Sequence, residues 1–361
     1  MNTHSTRSTR STRSTRSTQS TQSTTVVTAA PDPAAPAGVP RVLAQAGDPA
    51  DRLFRGSART AGAGVLLIMT LVGVFLGGRA LEALRDAGPG FLTTSAWEPD
   101  SHHFGIKAVL TGTVLIGAVA IVFAVPLALG TALYITEYAP RRLKQTLISL
   151  VDLMAAVPSV VYGLWGLFLF QPSVTGLSRW LTTYLGWFPL FAVDGDNPHD
   201  PLSPNTYYTS STFIAGMVVA LMVTPIACSV MREAFAQAPP GEREGAFALG
   251  ATPWGVIRSV VLPFGRGGII GGTMLGLGRA LGETIAVYLI ISPVFAVQPH
   301  ILQNGANSVS ALIALRYGSA SGFGMSALMA AGLALFTMTL IVNFIASSVV
   351  ARSRSGAGAD A

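Results

Sequence analysis

From Thr60 onward, long apolar runs alternate with polar connections, and the runs predict the elements of the chain. Six of them, at residues 61–79, 106–135, 147–170, 211–231, 267–293 and 325–350, are each long enough to cross a hydrocarbon core as a helix. They lack the strict apolar–polar alternation of a lipid-facing strand, and only helices satisfy their backbone groups over such lengths within lipid. The fold class is therefore all-α, a polytopic membrane protein with six transmembrane helices, and a β-barrel is excluded. Pro126, Pro158 and Pro225 fall inside the second, third and fourth runs and predict kinks there.

A polar stretch at 232–266 separates the fourth run from the fifth and has a pattern of its own. Glu244 to Leu249 is a helix-forming run that stops at Gly250, the residue best suited to a left-handed C-cap. Thr252 followed by Pro253 gives an N-cap and a proline at the first helical position, so a second short helix is expected from Trp254 until Pro263 forbids its continuation. Two short helices meeting at a glycine corner suit docking against a partner better than spanning a membrane.

The same residues carry a resemblance. Glu244-Gly245-Ala246, then Gly250, then Val260-Val261-Leu262-Pro263 is similar to the "EAA" loop of ABC importer permeases, with Gly245 for the usual Ala and Val260 for the usual Ile. Downstream, the run Gly278-Arg-Ala-Leu-Gly-Glu-Thr-Ile-Ala286, together with Ala155-Ala-Val-Pro-Ser-Val-Val-Tyr-Gly163, resembles the permease pair of phosphate importers, and within it the PstC-type subunit. The resemblance covers about residues 60–350 and implies the type I ABC importer permease fold. It also implies that Glu244, Gly245, Ala246, Gly250, Leu262 and Pro263 form a coupling element for a separate ATPase. The implied partners are a second, PstA-type permease subunit, a dimer of PstB-type ATPase subunits and an extracytoplasmic PstS-type phosphate-binding protein. No cofactor is implied for this chain itself, ATP and magnesium being used by the partner ATPase.

Composition agrees with a membrane reading: half of the 361 residues are apolar and 11% are charged. Residues 5–16 are four copies of Ser-Thr-Arg, followed by two of Ser-Thr-Gln and an Ala/Pro-rich piece, with no apolar run to bury. Residues 1–59 are therefore expected to be a disordered basic tail and pre-membrane segment, followed by the permease domain at 60–350 and a short tail at 351–361. The tail arginines lack interleaved aromatics, so nucleic acid is not an expected partner, whereas anionic membrane lipid is compatible with them. Twelve basic residues in the connections on one side (Arg52, Arg55, Arg59, Arg141, Arg142, Lys144, Arg232, Arg243, Arg258, Arg266, Arg352, Arg354) face five on the other (Arg79, Arg85, Lys107, Arg179, Arg316). That asymmetry places both termini and the Glu244 loop in the cytosol and the chain in the plasma membrane as a multi-pass protein.

Candidate chemistry concentrates in the fifth run. Arg279 is expected near the bilayer midplane, where a bare charge costs at least ~3 kcal/mol and needs a cavity, a partner or an ion. Glu283, four residues on, is expected on the same helix face. Two readings stay open: a structural ion pair, or a pathway in which the guanidinium fork holds an oxyanion and the carboxylate moderates its grip. The resemblance implies the second for Arg279 and Glu283 alone; Ser159, just after Pro158, is a further candidate for lining the pathway. Gly268, Gly272 and Gly276, and again Gly278 and Gly282, form small-residue ridges that fit either packing within the chain or a sliding contact between subunits. There is no Gly-x-x-x-x-Gly-Lys-Ser/Thr loop, so the chain is not itself expected to hydrolyse ATP. His102-His103 reads as an exposed loop pair without the carboxylates or thiols of a metal site, Asp152 stands by itself, and the single cysteine, Cys228, precludes an internal disulfide.

The reading that follows is a non-enzymatic permease subunit of an ATP-driven inorganic phosphate importer. Its alternatives are a permease for sulfate or molybdate and, from another class, an ion-coupled secondary carrier. Such carriers show matched internal repeats, and no second copy of either motif occurs.

Overall fold

The computed structural model describes residues 49–200 and 202–355. The expectation of a disordered tail falls almost entirely on residues outside these. The chain divides into two compact units, one ending at Ala61 and one beginning at Gly62, and the packing below lies within the second. Helix α1 (Pro49–Ala87) leads to a short α2 (Gly90–Thr93) and a two-stranded hairpin, β1 (Trp97–Glu98) and β2 (His103–Phe104). Then follow α3 (Lys107–Leu133), α4 (Arg141–Ala156), α5 (Ser159–Trp165), α6 (Gln171–Leu185) and α7 (Thr212–Ala236). The chain ends with α8 (Pro240–Ala248), α9 (Pro253–Val256), α10 (Leu262–Gly282), α11 (Ile285–Ile290), α12 (Val309–Arg316) and α13 (Gly322–Ser355). Six stretches are long and apolar enough to cross a membrane: Arg52–Ala87, Lys107–Tyr138, Ser159–Leu185, Thr212–Ala236, Pro253–Gly282 and Gly322–Ser348. The expected number stands, and both boundaries of the third and of the fifth span move most.

The third span begins only at Ser159, because the chain breaks at Pro158. Val157 is extended with ψ 128°, as the steric demand of a following proline requires, and α4 becomes a separate amphipathic helix. Residues 171–185, expected as external loop, continue the span as α6 after a π turn at Gly166–Phe170. The other two prolines do not break their helices, since α3 and α7 run through Pro126 and Pro225.

Pro263 likewise fails to stop its helix. A π turn over Ile257–Val261, in which Leu262 N–H donates to the Ile257 carbonyl, widens the helix just ahead of the proline ring. α9 and α10 thereby join into one 30-residue span. At its other end, the expected span to residue 293 stops at Gly282, and the next residues fold as described for the site below.

α7 is the centre of the bundle. Within the chain itself, 67% of its most apolar stretch is buried, against 17% for α13. The glycine ridge settles on α7: a Cβ at Gly268 would stand 2.1 Å from Ala234 Cβ, at Gly272 2.9 Å from the Ala227 carbonyl oxygen, and at Gly276 2.5 Å from Val223 Cγ1. Packing within the chain accounts for that ridge. Gly282, with nothing within 4 Å, is left out of it.

The loop after α6 is pinned by Asp196, which accepts from the hydroxyls of Ser203 and Tyr208. Arg179 donates to the Ser203 carbonyl and sits 5.8 Å from the Tyr208 ring centroid. Burial first, and then the Asp196 hydrogen bond, push the Tyr208 hydroxyl up to about 12. His102, in the left-handed region at φ 57°, pairs with Asp86 at 2.9 Å. No group of three or more His, Cys, Asp or Glu among the described residues could hold a metal ion.

Candidate functional site

The fifth span ends at a break that three separate segments build together. Gly282 closes α10, Glu283 turns extended at ψ 125°, and α11 restarts at Ile285. A break in an apolar span exposes backbone groups that must find partners. The Gly282 carbonyl accepts from the Thr284 hydroxyl at 3.2 Å, the Glu283 carbonyl from the Ser310 hydroxyl at 2.8 Å, and the Ala286 N–H donates to the Glu283 carboxylate at 3.3 Å. Ser310 comes from α12, which returns to the break after an irregular stretch from Ile291 to Ser308.

The end of that stretch, residues 305–308, is buried and sits against α3. Asn307, Ser308 and Leu312 are 3%, 3% and 0% exposed. Gly112 admits it: a Cβ there would lie 2.0 Å from the Asn307 carbonyl oxygen. Thr113 Oγ1 accepts the Val309 N–H at 3.0 Å, and Ser308 caps α12 by accepting from Ala311 N–H at 3.2 Å. The sequence reading missed this segment, although Asn304-Gly305 as a turn and Ser308 as an N-cap before Val309 were signals for it. Gly305 does adopt φ 96°.

The break changes the relation between the two expected pathway charges. Arg279 is exposed in the last turn of α10, where a cation favours the helix C-terminus. Glu283 lies beyond that turn, half-buried and engaged with α11. They do not share a helix face, and among the described residues no ion pair joins them. The i,i+4 geometry expected from the sequence fails because Glu283 is no longer helical.

Ser159 enters from α5, which packs on α11. A Cβ at Gly163 would meet Ala286 Cα at 2.9 Å, and Ser159 lies one turn before Gly163 on the same side of its helix. Tyr162 anchors α5 by donating to the Met154 carbonyl at 3.1 Å. The two sequence motifs, around Ser159 and around Arg279 to Ala286, thus meet in space. No hydrogen bond joins Ser159 to Arg279 or Glu283 among the described residues.

The polar corner forms as expected and begins earlier, at Pro240. Gly250 has φ 83°, Ala251 N–H donates to the Ala246 carbonyl at 3.0 Å and Gly250 N–H to the Phe247 carbonyl at 2.9 Å, which is a Schellman ending. Thr252 accepts from Gly255 N–H at 3.1 Å with Pro253 at the first helical position. Glu244, Gly245, Gly250 and Pro263 are exposed, and Ala246 and Leu262 half-buried. Phe247, Leu249 and Trp254 project beside them at 52%, 92% and 57% exposure, an apolar knob on a polar loop.

Residues 124–355, which contain the corner and the break, match the family described as binding-protein-dependent transport system inner membrane component. The chain belongs to this family. It is a multi-pass membrane permease subunit, and ATP hydrolysis in such transporters resides in a separate subunit. The permease is 37% identical over 313 residues to a protein of Mycobacterium tuberculosis named phosphate transport system permease protein PstC 2, covering 85% of this chain and 93% of the relative. It is 35% identical over 295 residues to the protein named PstC of Haemophilus influenzae, covering 81% and 90%. Among solved structures, a permease chain of a bacterial alginate ABC transporter superposes with a TM-score of 0.54 at 16% identity, covering 83% of this permease and 95% of that chain. That likeness supports the helical fold.

Proposed function

We propose that this permease is the PstC-type subunit of an ATP-driven inorganic phosphate importer. The observation that carries the reading is an exposed Arg279 at the helix break of the fifth span, in no ion pair among the described residues, in a permease whose relatives are named for phosphate transport. A guanidinium there offers two parallel donors to an oxyanion and stays charged at any physiological pH. Its exposed neighbours Leu275, Ile285 and Tyr288 leave that face to be covered by a second, PstA-type permease, so that the pathway forms between two subunits. Glu283 and Ser159 complete the polar lining in this reading, with the carboxylate limiting how tightly the arginine retains the anion.

The Glu244–Gly250 corner, with Phe247, Leu249 and Trp254, docks a PstB-type ATPase dimer that uses ATP and magnesium. Both termini lie on the ATPase side, and a PstS-type phosphate-binding protein delivers cargo from the other side. The test is uptake of radiolabelled phosphate by cells lacking their own high-affinity importer and supplied with the whole complex. Uptake should resist sulfate competition, and Arg279→Ala should lower it at least ~100-fold with the complex still assembled, because transition through the pore loses its anion partner. Uptake of sulfate in place of phosphate would overturn the substrate, and loss of assembly would return Arg279 to a structural role.

A further inference from the structure

We propose that Arg243 and Glu137 form a strut that carries movement of the α8 corner directly into α3 and α7, so that both are positioning residues for coupled transport. The proposal rests on the reading of that corner as the ATPase dock. α8 is poorly tied to the bundle, for none of its residues is buried. It has a covalent route to α10 through the Gly250 turn, where the left-handed glycine joins two short helices.

Arg243 supplies a second route. Its Nη1 donates to both carboxylate oxygens of Glu137, each at 3.1 Å, and its Nη2 donates to the Phe235 carbonyl at 2.6 Å. Glu137 belongs to the π turn Tyr134–Tyr138 that ends α3, and Phe235 lies in the last turn of α7, where its carbonyl also accepts from Ala238 N–H at 3.2 Å. The Phe235 side chain, 0% exposed, in turn presses on α10 at Gly265, where a Cβ would lie 2.4 Å from the ring. One guanidinium therefore clamps the corner to the ends of two helices, and the second of these touches a third.

The two side chains are 23% and 13% exposed, so the pair is shielded from water and salt. A planar fork bound at three acceptors resists rotation in a way a lysine cannot. α3, held this way, also carries Gly112 and Thr113, which seat the segment returning to Glu283. The strut thus links the corner to the break through the length of one helix.

The experiment uses the full complex in proteoliposomes. Glu137→Gln should leave the ATPase co-purifying in the same ratio and basal hydrolysis unchanged, while cargo moved per ATP falls about tenfold, a typical size for coupling between distant sites. Arg243→Lys should give an intermediate loss, since one ammonium can serve Glu137 or Phe235 but not hold both in one plane. Spin labels at Glu242→Cys and Tyr134→Cys, with Cys228→Ser, supply a readout independent of the cargo. Their separation should stay narrow with and without trapped nucleotide, and broaden in Glu137→Gln. An unchanged cargo-to-ATP ratio, an unchanged label distribution, or loss of the ATPase from Glu137→Gln complexes would overturn the strut. If the unaltered complex moves no phosphate, the labels still decide, so failure of the substrate reading is separable.

Discussion

The corner at Glu244–Pro253 and the break at Gly282–Ile285 are both places where one helix ends and another begins, and they are held by opposite means. At the corner, the capping bonds are all made within a few residues: Ala251 and Gly250 N–H close α8, and the Thr252 hydroxyl opens α9. At the break, the Glu283 carbonyl depends on Ser310, 27 residues away, which depends on α12 being seated at Gly112 and Thr113 of α3. A corner built locally keeps its shape while its surroundings move, which suits a docking element. A break built from three segments changes when any of them shifts, which suits a gate.

The contrast is sharpest at Gly112. Gly112→Val places new carbon against the Asn307 backbone, which is itself bonded to its neighbours and cannot swing aside as a side chain tip would. Overpacking of this kind costs about 1–3 kcal/mol or more, and here it also unseats Ser308 and Val309 and with them the partner of Glu283. The expected outcome is a clear fall in melting temperature and loss of assembled complex on size-exclusion chromatography. Gly271→Val, where nothing lies within 4 Å, should show neither. Equal behaviour of the two would dissolve the idea that the break is held from a distance.

The same distinction explains which features were legible in the sequence. The Gly250 ending and the Thr252-Pro253 start were readable because the residues that satisfy them are sequence neighbours. Arg279 and Glu283 were recognisable as charges out of place, yet their separation was not, because the end of α10 is stabilised by Ser310 and Thr284 rather than by a local breaker. Pro158 and Pro263 show the limit from the other side. Both look like helix stops; Pro158 is one, whereas a π turn ahead of Pro263 removes the clash. Ile291 to Ser308 is long and irregular, and the burial of its second half, from Ile301 and Leu302 to Ser308, is a property of the assembled bundle.

At the corner, Gly250→Ala tests the opposite regime. Nothing lies within 4 Å of the added methyl, so the only cost is backbone strain at φ 83°, about 1–2 kcal/mol. α8 should lose its Schellman ending and set the apolar knob at a different angle, lowering ATPase co-purification while the melting temperature of the membrane bundle moves little. A bundle as destabilised as in Gly112→Val would show that the corner is not mechanically separate.

The smallest effect belongs to Thr252→Ala. It removes the 3.1 Å acceptor of Gly255 N–H, and loss of such a cap costs about 1 kcal/mol. Pro253 still fixes the first helical φ, and Thr252 is exposed, so water can take the freed N–H. Co-purification of the ATPase should fall less than for Gly250→Ala, and Thr252→Ser, which keeps the acceptor, should restore it. The order Gly112→Val, Gly250→Ala, Thr252→Ala in thermal stability of the assembled complex is the measurable form of the contrast. If Thr252→Ala outranked Gly112→Val, long-range seating of the break would count for less than a single local cap, and the gate would have to be sought elsewhere in the bundle.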